Sequence, residues 1–133
     1  MTNKSNKIMT EISAGELFDK ISILEIKIDK IQDKESLVEI NKEYNSLKET
    51  LNLNIKITPS IKSLINELKE INLKLWAIED GKRACEKNKD FGEKFIDLSR
   101  NVYLYNDKRA KVKSEINKIL GSNIKEIKKY VNY

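Results

Sequence analysis

ISAGELFDKISILEIKIDKI, residues 12–31, decides the fold. Ser13 is a good helix N-cap, and Glu16, three residues on, is the other half of a capping box, while Ile12 can staple against Leu17. Leu17, Ile21, Leu24, Ile28 and Ile31 then recur at alternating steps of four and three, an unbroken helical seam. Phe18, Ile23 and Ile26 fall on other faces of the same helix, so it should touch more than one neighbour and form the centre of the fold. Gly15, in the first turn, lets something approach the backbone closely.

Outward from this helix the punctuation is helical throughout. Asp33 ends the first helix and can cap a second over residues 34–51, whose narrow stripe of Leu37, Ile40, Tyr44, Leu47 and Leu51 predicts packing on one side only. Residues 52–57 (NLNIKI) are too few for more than a loop or a single extended turn. Thr58 as cap and Pro59 in the first turn start a third helix that runs to about Asn88. Asp90 and Glu93 form a second capping box for a fourth helix, which ends at Gly121, a suitable left-handed residue. Asn123 can cap a short last helix, IKEIKKYV. The expected architecture is all-α: antiparallel helix hairpins, two shorter and two longer helices plus a short C-terminal helix, bundle- or coiled-coil-like. They form one domain over residues 1–133 whose first eleven residues are flexible.

Composition agrees. Four glycines and one proline in 133 residues leave few breaks, and 39% hydrophobic residues suits thin bundles in which each helix buries a stripe. The single cysteine, Cys85, excludes a disulfide within the chain and fits a reducing compartment. With no histidine there is no histidine general base and no histidine metal ligand, and neither a metal nor a cofactor is implied. No apolar run is long enough for a signal peptide or a membrane span, so a cytoplasmic location is expected. The net charge of +5 is uneven: residues 1–52 carry eight basic against ten acidic side chains, residues 53–133 eighteen against eleven. Such asymmetry nominates nucleic acid or an anionic polymer. The basic residues are nevertheless interleaved with acids at helical spacing, as on an ordinary solvated face.

At 1.5 Å per residue the first two helices reach roughly 28 Å and the next two roughly 45 Å. A long hairpin is not covered by a short one, so the excess is solvated, bent back, covered by the last helix or buried against another copy, and a homodimer is the economical answer. Polar residues also interrupt the apolar stripes of the long helices. Asn72, Glu79 and Glu86 stand at steps of seven in the stripe of Ile61, Ile65, Leu68 and Leu75. Arg109 stands among Phe91, Phe95, Leu98, Val102, Tyr105, Val112 and Ile116. In a hairpin turning near residue 89, Asn72 comes level with Asn106 and Arg109, and Glu79 comes within reach of Arg100 or Asn101. A guanidinium in an apolar stripe needs a carboxylate or amide partner from the first or third helix, and Glu25 and Asn72 are the nearest candidates. These positions are either paired polar layers that fix register or a pocket. In a pocket, Arg83 and Arg109 would hold an anion, Glu79 would add a carboxylate, Trp76 and Tyr105 would form the walls, and Asn72 is a further binding candidate.

Three blocks carry a family resemblance: EISAGELFDKISILEIKIDKI (residues 11–31), LWAIEDGKR (75–83) and FGEKFIDLSRNVYLYNDKRAKVKSEIN (91–117). Together they resemble a family of short helical proteins of unknown function from bacteria and some phages. The resemblance implies a small cytoplasmic helical protein and transfers no catalytic residue. Residues 104–116 also share a generic Lys/Glu pattern with all-helical chorismate mutases, which steer a dianion with basic side chains, although three arginines are few for that task.

No phosphate loop, EF-hand spacing or catalytic constellation occurs in the sequence. The expected function is therefore a non-enzymatic helical interaction or assembly module that self-associates and docks a protein partner. A small-anion site in the polar layer between the long helices is the alternative, and nucleic-acid or anionic-polymer binding the second alternative.

Overall fold

The computed structural model describes residues 6–133. Four helices account for most of them: α1 (Ala14–Lys30), α2 (Lys34–Asn54), α3 (Pro59–Lys87) and α4 (Glu93–Leu120). No strand occurs among the described residues. Residues 1–5 of the segment expected to be flexible lie outside them, and residues 6–11 are exposed and not helical.

The starts of the first three helices follow the side-chain chemistry. The Ser13 hydroxyl accepts from the Glu16 backbone N–H, the Asp33 carboxylate from Ser36, and the Thr58 hydroxyl from Ile61, with Pro59 in the first turn of α3. The fourth start differs from the expected capping box. Gly92 is the N-cap of α4 without a side-chain bond, and Asp90 accepts from the Gly92 N–H instead, tying the turn rather than the helix. Helix α2 also runs further than expected, to Asn54, because residues 52–54 continue its hydrogen-bonded turns; only residues 55–58 remain as the loop. Gly121 ends α4 in the left-handed conformation at φ +60°.

The short last helix is absent: residues 122–133 hold no helix. An eight-residue stretch is too short to hold a helix by propensity alone. The Asn123 amide nitrogen donates to Glu11 at 2.8 Å.

Helix α1 is the hub, packing against α2, α3 and α4, while α3 and α4 form the long hairpin. Leu17, Phe18 and Ile21 of α1 close a core with Leu51 of α2, Ile61, Leu68 and Ile71 of α3, and Val112 and Ile116 of α4. Phe18 and Ile26 are at most 2% exposed although they lie off the main seam, because helices surround α1 on several sides. Two glycines set close helix approaches. A methyl group at Gly15 would lie 2.6 Å from the Lys113 carbonyl oxygen, and one at Gly81 would lie 3.1 Å from the Leu98 side chain. The close partner anticipated for Gly15 is thus the backbone of α4.

Candidate functional site

The α1–α4 contact is lined with polar groups. Gly15, Asp19, Ser22 and Ile26, spaced by four, three and four, form a second stripe on α1, and all four are buried. Asn106, Arg109, Lys113 and Asn117 form the facing stripe on α4, with Lys113 and Asn117 buried.

Asp19, only 1% exposed, is the node between them. Its carboxylate accepts from Arg109 Nε at 3.0 and 3.1 Å, from Arg109 Nη2, from Lys113 Nζ at 3.3 Å and from the Asn72 amide at 2.9 Å. Asn72 also donates to the Ser22 hydroxyl at 3.3 Å, and Arg109 Nη1 to the Asn106 side-chain oxygen at 3.3 Å. Lys113 reaches on to Glu16 at 2.8 Å, so two carboxylates balance two cations. Burial by itself would raise the Asp19 carboxyl. The hydrogen bonds from Arg109 and Asn72 and the charges of Arg109 and Lys113 outweigh it and hold the group below its ordinary value. The bond to Asp19 in turn raises Arg109 above its own ordinary range.

Nearby, the end of α4 supplies acceptors to the start of α1. Gly15 N–H donates to the Asn117 side-chain oxygen at 2.7 Å and Ala14 N–H to the Ser122 hydroxyl at 3.1 Å, beside the Ser13 cap on Glu16. Every described buried side-chain polar atom has a partner.

Residues 122–133 pass over this region as a strap. Asn106, Arg109, Ala110 and Lys113, the α1 residue Glu16 and the strap residue Tyr130 are among those lining a cleft of about 710 Å³. Tyr133 donates its hydroxyl to Asp107 and stacks edge-on against Tyr103 with ring centroids 5.2 Å apart, while Glu126 bridges Lys113 at 3.8 Å and Lys128 at 2.7 Å.

The expected site residues divide between these features. Asn72 and Arg109 are members of the Asp19 node. Trp76, Glu79 and Arg83 join them along a shallow groove of about 330 Å³ beside Ile23 and Ile26. Tyr105 lies apart, packed on the core with Lys108 Nζ 4.7 Å from its ring centroid. The partner of Arg109 is a carboxylate of the first helix, as the physical argument requires, but it is Asp19 and not Glu25. Glu25 accepts from Tyr44 at 3.1 Å and pairs with Lys69 at 3.5 Å. Glu79 and Glu86 are exposed, which removes them from the apolar stripe of α3, and no described ion pair joins Glu79 to Arg100. Their step of seven from Asn72 drifts off a straight helix face by about 20° per heptad, and the polar head groups end in solvent.

Asp19, Lys113 and Asn117 escaped the sequence reading because each looks like a solvated residue when its own helix is read against the main apolar seam. The spacing of Gly15, Asp19, Ser22 and Ile26 was the available signal: a second seam of small and polar residues on the most apolar helix.

A family model for a family of unknown function, DUF6165, matches residues 8–133, nearly the whole chain. The chain belongs to the DUF6165 family. No curated protein and no solved structure matches it. The DUF6165 match takes in the polar node, the cleft and the strap alike. Among the described residues no helix is long and apolar enough to cross a membrane.

Proposed function

We propose that this DUF6165 protein is a non-enzymatic helical assembly module that works as a homodimer and presents the same surface type to a protein partner. The carrying observation is apolar surface that one copy leaves uncovered, concentrated in the strap: Ile127 is 85% exposed, Val131 90% and Tyr130 66%. Phe91 and Ile96, near the α3–α4 turn, add a second exposed patch at 50% and 53%.

The polar node supports a binding role over a catalytic one. A general acid or base works best with its titration near neutral pH, whereas Asp19 is held below its ordinary range and Arg109 above. The node is a positioning device: it locks α1 to α4 and thereby the wall of the cleft. The groove beside Trp76 is a poor anion site, since Glu79 and Asp80 line it against Arg83 and the Arg109 guanidinium is already neutralised by Asp19.

Light scattering at micromolar concentration tests the proposal. The expected mass is twice the 15.5 kDa of one chain, and a mass of one chain overturns it.

A further inference from the structure

All four helices bring one end to the same pole of the bundle. Leu17 and Ile61, near the starts of α1 and α3, share one core with Leu51 and Ile116, near the ends of α2 and α4. The same pole carries apolar side chains that this core leaves outside. Leu53, in the last turn of α2, is 77% exposed, Ile57 in the loop that follows 45%, and Ile119 in the last turn of α4 50%. Ile8 and Met9 are 90% and 86% exposed, just ahead of Glu11, which holds Asn123 beyond the end of α4.

The charges here are as one-sided as the apolar groups are exposed. Residues 6–10, 51–58 and 118–120 contain Lys7, Lys56 and Lys118 and no acidic residue. All three lysines are exposed, and none enters an ion pair among the described residues. Along α2 and α4 the acids begin one turn back, at Glu49 and Glu115, each four residues before an exposed aliphatic residue. The strap leaves from the same pole and adds Lys125, Lys128 and Lys129 against Glu126.

We infer that this pole docks on the surface of an anionic lipid bilayer. The exposed aliphatic side chains enter the boundary between headgroups and acyl chains, and the lysines lie against the anionic headgroups. The shape of the surface selects this partner. The aliphatic residues come from three separate segments and line neither of the clefts described above, so no groove gathers them for a single inserted peptide. A planar, deformable surface receives all three at once. Nucleic acid would match the lysines and leave the aliphatic side chains in water. Apolar burial and attraction to anionic headgroups reinforce each other at such a surface. The inference goes beyond the assembly reading and uses none of the exposed apolar residues on which that reading rests.

Sedimentation of the full chain with lipid vesicles tests it. Phosphatidylcholine vesicles containing about one third phosphatidylserine should carry most of the protein down at low salt, and phosphatidylcholine alone should leave it in solution. Leu53→Ser with Ile119→Ser, and separately Lys56→Glu with Lys118→Glu, should each lower the partition coefficient about tenfold or more. All four positions are exposed, so both variants should keep the helix signal and thermal midpoint of the parent. A parent chain that stays in solution with the anionic vesicles overturns the inference. Vesicle binding that the serine pair leaves unchanged, matched by equal binding to a short DNA duplex, also overturns it, because the pole then attracts any polyanion. The mass from light scattering bears on the assembly reading alone, so the two readings fail separately.

Discussion

Arg109 and Asp19, ninety residues apart in sequence, meet as a two-pronged pair: the guanidinium Nε lies 3.0 and 3.1 Å from the two oxygens of a carboxylate that is 1% exposed. Truncating one member of such a pair strands the other, at a cost of about 3–5 kcal/mol. Arg109→Ala should therefore lower the urea midpoint of unfolding markedly. Asp19→Ala should lower it further, because it also takes one partner from Lys113 and one from Asn72, leaving them Glu16 and Ser22. The double variant should fall short of the sum of the two single losses. Strictly additive losses would mean the two side chains do not interact in solution.

The same pair sets a pH dependence. The Asp19 carboxyl is held below its unfolded value of about 3.8, despite burial, by Arg109, Asn72 and Lys113. Between the two values the unfolded chain binds a proton that the folded chain does not, so stability rises with pH across that window. The contribution is fully present above the unfolded value and lost as pH falls through the folded one. Urea titrations from pH 5 down to about pH 2 should show a decline that is shallower in Asp19→Asn. An equal slope in both proteins would assign the acid sensitivity to other carboxylates.

The helices were legible because their signals are local. The Ser13, Asp33 and Thr58 caps and the seam from Leu17 to Leu24 each lie within one or two turns and need no knowledge of the rest of the chain. The node was half legible. Arg109 advertised itself as a charge among apolar residues, and the need for a carboxylate from α1 or α3 followed from electrostatics. Choosing Asp19 over Glu25 required the rotation of α1 about its axis, which the Gly15 contact with α4 fixes and the main seam does not. The strap was misread because Ile124, Ile127 and Val131 have helical spacing, yet spacing reports only which residues could share a face. Whether the helix forms depends on a surface to receive that face, and every residue from 123 to 133 is exposed.

Gly15 decides how closely α1 and α4 approach. Alanine would ordinarily favour a helix over glycine by about 1 kcal/mol. Here its methyl group would lie 2.6 Å from the Lys113 carbonyl oxygen and 3.0 Å from the Asn117 side-chain oxygen, so the helices must separate and the node must stretch. Gly15→Ala should lower the thermal midpoint in spite of its better propensity, and Gly15→Val should lower it more. A rise in the midpoint with alanine would show that the helices part freely.

Asn117 carries a cap across the interface. Its side-chain oxygen accepts the Gly15 N–H at 2.7 Å, and the residue is 4% exposed, so deleting it leaves a backbone donor of the first turn of α1 without a partner away from water. The Ser13 cap on Glu16 N–H is only part-buried, and water can replace it more readily. Asn117→Ala should therefore cost about 1–3 kcal/mol, while Ser13→Ala should cost about 1 kcal/mol. Asn117→Asp separates the cap from the packing. A carboxylate keeps the acceptor and sits at the positive end of α1, with the Lys113 cation on the same face of α4 one turn away. It should recover most of the stability that alanine loses near neutral pH, and that recovery should fade in acid as the carboxyl takes up a proton. If the aspartate variant were as unstable as the alanine variant at neutral pH, the amide nitrogen or the fit of the side chain would be what α1 requires, and the cross-helix cap would not be the source of its stability.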